Sequence, residues 1–473
     1  MRYHRITAFA ASLMVLAACN NSETPATTEP AAGTDPAGTT VIDADASVMA
    51  WHRAGHRATL VNAVETWNDN IEEFSRLAFV PPPVEARMST MANVTVHDIL
   101  NAVDPRFEQY AYTGKVRRPL SVEAAIATGT YEVLADVGKG LPTSDALDFI
   151  TKAYNDYLAE LGECDEITRG KQLGHDAAVA MLALRANDGS APPWVAPFRS
   201  SGEPGKYRPT INASPDGLSG PQALLNWGTN VKPWAVQSSS QFRAVPMYGA
   251  ATVTDAVKTS QYLADYAEVK RLGGMVSERT PDQTEIGLFW VESTTQSWNR
   301  IARTLADQQH LNAWRLARVL AHVGLAESDA YLTVFESKYY YNFWRPVTAI
   351  RLGNLDPATP GDPSWEVASM LIPALGPTPI IPDYNSGHSI AGAAAGEALI
   401  ATFGNRSSFS TTSGSLPGVT RSFRSISDAV SENAVSRVYV GFHFRQATIE
   451  GVKQGRKVGE YVVSRTLQRA RWH

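Results

Sequence analysis

The sequence predicts an all-α fold, and two observations carry that expectation. Apolar residues recur at three- and four-residue spacing through most of the chain beyond residue 48, and no stretch of the N-terminal half alternates cleanly as a half-buried strand would. A third observation, the lack of any fixed-period repeat, argues against a solenoid. With 473 residues the chain is too long for one ordinary core and suggests two domains or one large helical body, able to bury a deep site. Hydrophobic content of 44% and charged content of 19% suit a soluble globular protein. A formal net charge of -5 leaves no nucleic-acid footprint, so any basic site must be local.

Taken in order, the first segment is residues 1–18. Arg2 and Arg5 precede an apolar run from Ile6 to Ala18 that is too short to span a bilayer and reads as an export signal. Leu16-Ala17-Ala18-Cys19 resembles the bacterial lipobox, which implies cleavage before Cys19, lipidation of its thiol, a membrane anchor, and residence at the periplasmic face of an outer membrane or at the cell surface. Lipidation would leave Cys164, the other cysteine, without an internal disulfide partner. Residues 19–47, rich in Thr, Ala and Pro and nearly free of large apolar side chains, read as a disordered tether.

From Val48 the helical pattern begins. It continues through VTVHDILNAVDPRF, SVEAAIATGTYEVLADV, SDALDFITKAYNDYLAEL and KQLGHDAAVAMLALRAND, giving an N-terminal helical region over 48–215. A Gly-, Pro- and Ser-rich stretch over 189–241 marks a boundary or a long surface excursion. Helical patterns resume with SQYLADYAEVKRLGG, and the region 216–473 is expected to be a C-terminal catalytic bundle.

Three short blocks in that bundle carry the chemistry. In the first, Lys338 and Arg345 stand seven residues apart, a spacing that puts both on one side of a helix, before Pro346 ends or kinks it. In the second, Ser386-Gly387-His388 precedes an Ala- and Gly-rich helix whose N-terminal amides, with a small Gly for close approach, suit an oxyanion, while His388 can move protons. In the third, Arg437 and His443 are six residues apart, about 120° around an ideal helix, with Gly441 leaving room between them. The first two blocks each have a plain structural reading, a solvated cationic face and an N-cap serine before a core histidine, and the third is weak by itself. Together they point to a site for a tetrahedral oxyanion. His52 and His56, at i and i+4, lack a third ligand nearby, and His97, His175, His310 and His322 are expected to be structural.

The order Lys-x6-Arg-Pro, Ser-Gly-His, Ser-Arg-x5-His resembles the superfamily that joins vanadium-dependent haloperoxidases with type 2 phosphatidic acid phosphatases and bacterial class A acid phosphatases. HDILNAVDPRFEQY, AVAMLALRANDGS, TPDQTEIGLFW, WNRIAR and YNFWRPVTAIR also resemble segments of bacterial haloperoxidase-like proteins, so the likeness covers about residues 50 to 465. The resemblance implies a helical body of the haloperoxidase and type 2 phosphatidic acid phosphatase kind. It implies a V(V) vanadate cofactor, with His443 as the protein ligand to vanadium and Lys338, Arg345, Ser386, Gly387 and Arg437 around its oxygens. Hydrogen peroxide and halide are the implied substrates, His388 the acid–base group and Lys338 the cation that polarises peroxide.

The same atoms would serve a phosphomonoesterase that needs no cofactor, with His443 attacking the phosphate ester and His388 protonating the leaving oxygen. Two departures from the family pattern, Asn385 where Pro is usual and Ala447 where an Asp often orients the histidine, motivate a third reading, a catalytically dead anion-binding lipoprotein; Gln446 or Glu450 are the candidates to replace that Asp. By the same resemblance Phe335 and Ile381 lie near the halide. Both are apolar and offer no donor to strip and hold chloride, so iodide and bromide are favoured.

Overall fold

The computed structural model describes residues 44–116, 119–141, 143–353 and 359–470, with side chains from Thr59 onward. The signal segment 1–18, Cys19 and most of the expected tether lie outside them, as do the side chains of His52 and His56. Helix α1 (Ala44–Ala78) starts four residues before the expected boundary at Val48. It is followed by α2 (Pro82–Val103), α3 (Val122–Gly138), α4 (Asp145–Leu161) and α5 (Asp165–Arg185). Cys164, at the N-cap of α5, is disulfide-bonded, which corrects the expectation that it stays unpaired.

The Gly- and Pro-rich stretch contains an antiparallel pair, β1 (Val195–Arg199) and β2 (Ser219–Ala223), registered Val195 to Ala223, and the short α6 (Trp227–Asn230). The chain continues through α7 (Val253–Ala256), α8 (Ser260–Leu272), α9 (Pro281–Phe289), α10 (Thr294–Gln308), α11 (Ala313–Tyr341), α12 (Pro346–Leu352) and α13 (Gly387–Phe403). A second hairpin, β3 (Phe409–Thr412) with β4 (Thr420–Phe423), precedes α14 (Ile426–Tyr439) and α15 (Arg445–Arg465). The fold is therefore helical with two small hairpins. Those hairpins escaped notice because Pro, Gly and Ser break the alternation of β1 and β2, and β3 and β4 have four residues each.

Helix α11 is the axis of the molecule: buried along nearly its whole length, it packs against α2, α10, α13 and α15. One hydrophobic cluster runs from Trp67 and Phe74 of α1 through Trp298 and Leu316 to Val458 and Val462 of α15. The closest packing is between α13 and α15. A side chain at Gly451, Gly455 or Gly459 would run into the backbone of α13, and the Ala-rich sequence of α13 supplies the other smooth face. That contact brings the N-terminal ends of α13 and α15 together, and the Ala447 carbonyl accepts the Ser386 amide at 3.0 Å. Among the described residues, no helix is long and apolar enough to cross a membrane.

Candidate active site

The three blocks meet at that end of the bundle, by routes that differ from uninterrupted helices. Lys338 lies in the last turn of α11, but the helix stops at Tyr341, where Asn342 takes left-handed angles, φ 52° and ψ 47°. Arg345 is the N-cap residue of α12, with Pro346 at its first position. The two cations thus converge across a turn, and the stop comes before the proline. His443 likewise is not on the helix that carries Arg437. After α14 the chain folds back, so that the Phe442 and His443 amides both donate to the Arg437 carbonyl, at 3.0 and 3.2 Å. Gly441 has φ 84°, and a side chain there would strike the Gly273 carbonyl, so the glycine serves this turn rather than ligand access.

Every cation here is buried. The Lys338 ammonium donates to the carbonyls of Pro382 and Asp383, both at 2.9 Å, which leaves one of its three N–H groups for a ligand. Arg345 donates from Nε to the Ile381 carbonyl at 2.8 Å and from Nη1 to the Phe442 carbonyl at 2.9 Å, with Nη1 also 3.0 Å from His443 Nε2. Arg437 is 1% exposed, yet neither Nη1 nor Nη2 has a hydrogen-bond partner. Only its Nε is engaged, with Ser436 Oγ at 3.2 Å. Burial, with Arg345 beside it, pushes the Arg437 pKa down to about 9, and burial plus Arg345 hold Lys338 well below the usual lysine range.

His443 is fixed by a residue that sequence reasoning missed. Its Nδ1 is 2.8 Å from Asp383 Oδ1, though the N–H is not aimed squarely along that line. With a guanidinium donor facing Nε2 and a carboxylate facing Nδ1, the partners assign the proton to Nδ1 and the lone pair to Nε2. Burial and then Arg345 hold the His443 pKa well below its ordinary value, so the ring is neutral, with the Nε2 lone pair turned to Arg345 Nη1. Asp383 is itself fully buried, and burial raises its pKa to about 7 against the pull of Arg345 and Lys338. The replacements considered for the missing Asp at Ala447 face elsewhere: Gln446 bonds Glu450, and Glu450 pairs with Lys453 at 2.7 Å. The available signal was a lone acid three residues before Ser386, on the far side of the chain from the histidine in sequence.

Ser386 is the N-cap of α13, and its Oγ accepts the Ser389 amide at 3.3 Å. Capping uses the oxygen's lone pair and leaves the hydroxyl proton for an anion. The Gly387 amide stands at the first helical position, where no intrahelical acceptor exists. His388, in the first turn, donates from Nε2 to the Glu292 carbonyl at 3.2 Å, which leaves Nδ1 as the basic nitrogen. Burial and then Arg437 lower its pKa to about 3. Asn385 does not loosen the turn: its side chain is buried and bonds Gln454 at 2.6 Å.

The remaining histidines have structural partners or stand apart. His97 bonds the Glu108 carbonyl and His322 the Thr466 carbonyl, His175 pairs with Glu132, and no grouping of metal-ligating side chains occurs among the described residues. Phe335 is buried three residues before Lys338, with its ring 6.1 Å from that of Tyr339. Ile381 is half-buried, and its carbonyl, rather than its side chain, is what touches Arg345.

Fold and site together define a helical bundle with Lys338, Arg345, Arg437 and His443 buried together at one end. Residues 318–471 match the family model described as the VCPO second helical-bundle domain. It is similar to vanadium chloroperoxidase of Curvularia inaequalis, 26% identical over 271 residues, which are 49% of this chain and 43% of that protein, so the match spans less than half of the relative. The fold is similar to the crystal structure of a bacterial vanadium-dependent iodoperoxidase, with TM-score 0.70, 22% identity, and 87% of this chain and 98% of that one covered. It is also similar to a holo-type bacterial vanadium-dependent chloroperoxidase, with TM-score 0.62, 16% identity, and 82% and 93% covered.

The position of Asp383 makes a prediction. Its removal has two opposed effects, since the pocket becomes more positive, which favours any anion, while His443 loses the partner that fixes its tautomer. For a ligand bonded to Nε2 the second effect wins, because loss of such a partner typically weakens a metal site about 10- to 100-fold. Asp383→Ala is therefore expected to weaken vanadate binding by that factor without weakening phosphate binding, as titration calorimetry with each anion would read. Tighter binding of both would mean that Asp383 only tunes charge.

Proposed function

We propose that the protein is a vanadium-dependent haloperoxidase that uses hydrogen peroxide to oxidise iodide or bromide. The observation that carries the reading is Arg437, a buried guanidinium whose two terminal nitrogens have no partner in the protein. A buried, unpaired charge costs several kcal/mol unless a counter-ion is supplied, and here two more cations stand within electrostatic reach. The donor set fits vanadate: Lys338, Arg345 and Arg437 would neutralise its oxygens, Ser386 and the Gly387 amide would donate to them, and the neutral His443 would offer Nε2 to the metal.

Bound vanadate would supply a Lewis-acidic V(V) centre that makes peroxide electrophilic without changing oxidation state. The chain does the rest. His388 Nδ1, neutral at ordinary pH, takes the proton that peroxide gives up on binding, and the Lys338 ammonium draws charge from the peroxide oxygens.

Asp383 bears on the alternatives. It supplies the orientation that Ala447 lacks, which removes the main motive for a dead site and equally restores a phosphohistidine as a workable intermediate. One assay pair separates the readings. Vanadate-loaded protein should halogenate a dione with peroxide, faster with iodide than bromide and slightly or not at all with chloride. The same protein without vanadate should leave an aryl phosphate intact. Phosphatase activity alone would overturn the proposal, and chloride turnover matching bromide would show that Phe335 and Ile381 do not set halide choice.

Export and anchoring at Cys19 belong to the same proposal. Labelled palmitate should enter the wild type and not Cys19→Ala; an unlabelled mature protein beginning after a different residue would refute the anchor.

A further inference from the structure

Behind the oxyanion pocket, α11 carries a second row of polar groups that the mechanism above does not use. Glu327, Tyr331 and Lys338 are spaced by four and seven residues, so they lie along one stripe of the helix. Tyr331 is the link to the pocket: its ring flanks Gly387, where a β-carbon would stand 3.9 Å from Cε1, and its hydroxyl is within electrostatic range of Arg437. That hydroxyl is 2.8 Å from Thr294 Oγ1 at the start of α10. The hydroxyls of Thr294 and Thr295 in turn face the carboxyl of Glu327 without completing a well-formed hydrogen bond.

Glu327 is fully buried, and neither of its carboxyl oxygens has a partner among the described residues. The charged or titratable groups around it are Tyr331 on its own helix and Glu85 on α2; beyond Glu85 lie Glu72 of α1 and Glu292. No cation among the described residues compensates it. A carboxylate so placed keeps its proton, and burial raises Glu327 to about 8 and Glu85 to about 7. Glu85 accepts from Gln296 at 3.1 Å, and the carboxylate of Glu72, 16% exposed beside Arg303, opens the row toward solvent.

We propose that Glu327 is the proton store of the oxyanion pocket, connected to it through the hydroxyls of Thr294 and Tyr331. The inference rests on the haloperoxidase reading for its use. Oxidation of halide by peroxide moves two electrons from the halide to the O–O bond, which breaks as a halogen–oxygen bond forms. The departing oxygen leaves as hydroxide equivalent and must gain a proton, so halide, peroxide and one proton give hypohalous acid and water. The proton passes from the Glu327 carboxyl to Thr294, while Thr294 gives its own to Tyr331 and Tyr331 gives its own to that oxygen. Glu327, left as a carboxylate, is recharged from the Glu85 side.

The test uses infrared difference spectroscopy on the full protein, with Glu327→Gln and Tyr331→Phe. A protonated-carboxyl band is expected at neutral pH that is missing in Glu327→Gln, shifts when vanadate is added to the wild type, and no longer responds in Tyr331→Phe. Because this readout needs an oxyanion and no halogenation, a band that shifts in a protein without haloperoxidase activity would sink the functional reading and keep the proton store. Absence of the band at neutral pH, or an equal shift in Tyr331→Phe, would overturn the proposal itself. In the active enzyme the wild-type rate should fall as pH rises through the Glu327 pKa, and Glu327→Gln should lack that limb and run at least about tenfold slower below it. A loss of rate that followed vanadate retention alone would show a structural role and overturn the proposal.

Discussion

His443→Ala is expected to abolish retention of vanadium, read as metal per protein after gel filtration, while phosphate binding falls by no more than about tenfold, about 1.4 kcal/mol. The difference follows from what each anion uses. Phosphate would be held by Lys338, Arg345, Arg437 and the donors at the start of α13, all of which the substitution leaves in place. Vanadate would add a bond from a neutral imidazole nitrogen, and His443 Nε2 is the nitrogen poised for it, with Asp383 behind the ring and Arg345 in front. Equal vanadium retention in wild type and variant would refute the ligand assignment, whatever happened to activity.

How much of this could be read from the sequence depends on where the information is stored. The N-cap at Ser386 and the helix after it were legible because capping and packing of small residues are local, carried by a few neighbouring positions. The convergence of Lys338 with Arg345, and of Arg437 with His443, was legible as an outcome but not as a geometry. Both pairs were expected on single helices, and both are joined by turns with positive φ, at Asn342 and at Gly441, the latter packed against Gly273, distant in sequence. Asp383 was missed for the same reason in stronger form. A side chain that orients a histidine sixty residues away gives no periodic signal, and it shows only as one acid inside an apolar run. The row from Glu327 to Tyr331 was hidden inside a helix that reads as core, since a buried carboxyl at a core position looks in sequence like a residue on the exposed face.

The complementary substitution, His388→Ala, is expected to leave vanadium bound and to lower turnover by about 10²- to 10⁴-fold, the range that loss of a positioned acid–base group costs. The structure bears on which half of that role comes first. With Nε2–H committed to the Glu292 carbonyl and the pKa lowered to about 3 by burial and Arg437, His388 starts the cycle as a neutral base at Nδ1. An anion in the pocket offsets Arg437 and Arg345 and so moves that pKa upward, because the same two cations are among the causes of its depression. The base is active when unprotonated, so the rate should fall as pH drops through its pKa, and that acid limb should lie above pH 3 in the loaded enzyme. His388→Ala should lack the limb as well as the rate, and added imidazole, small enough to enter where the ring was removed, should restore part of both. Near-normal turnover in His388→Ala, or an acid limb that persists unchanged in it, would mark His388 as a packing residue that closes the end of α13 against the Glu292 carbonyl.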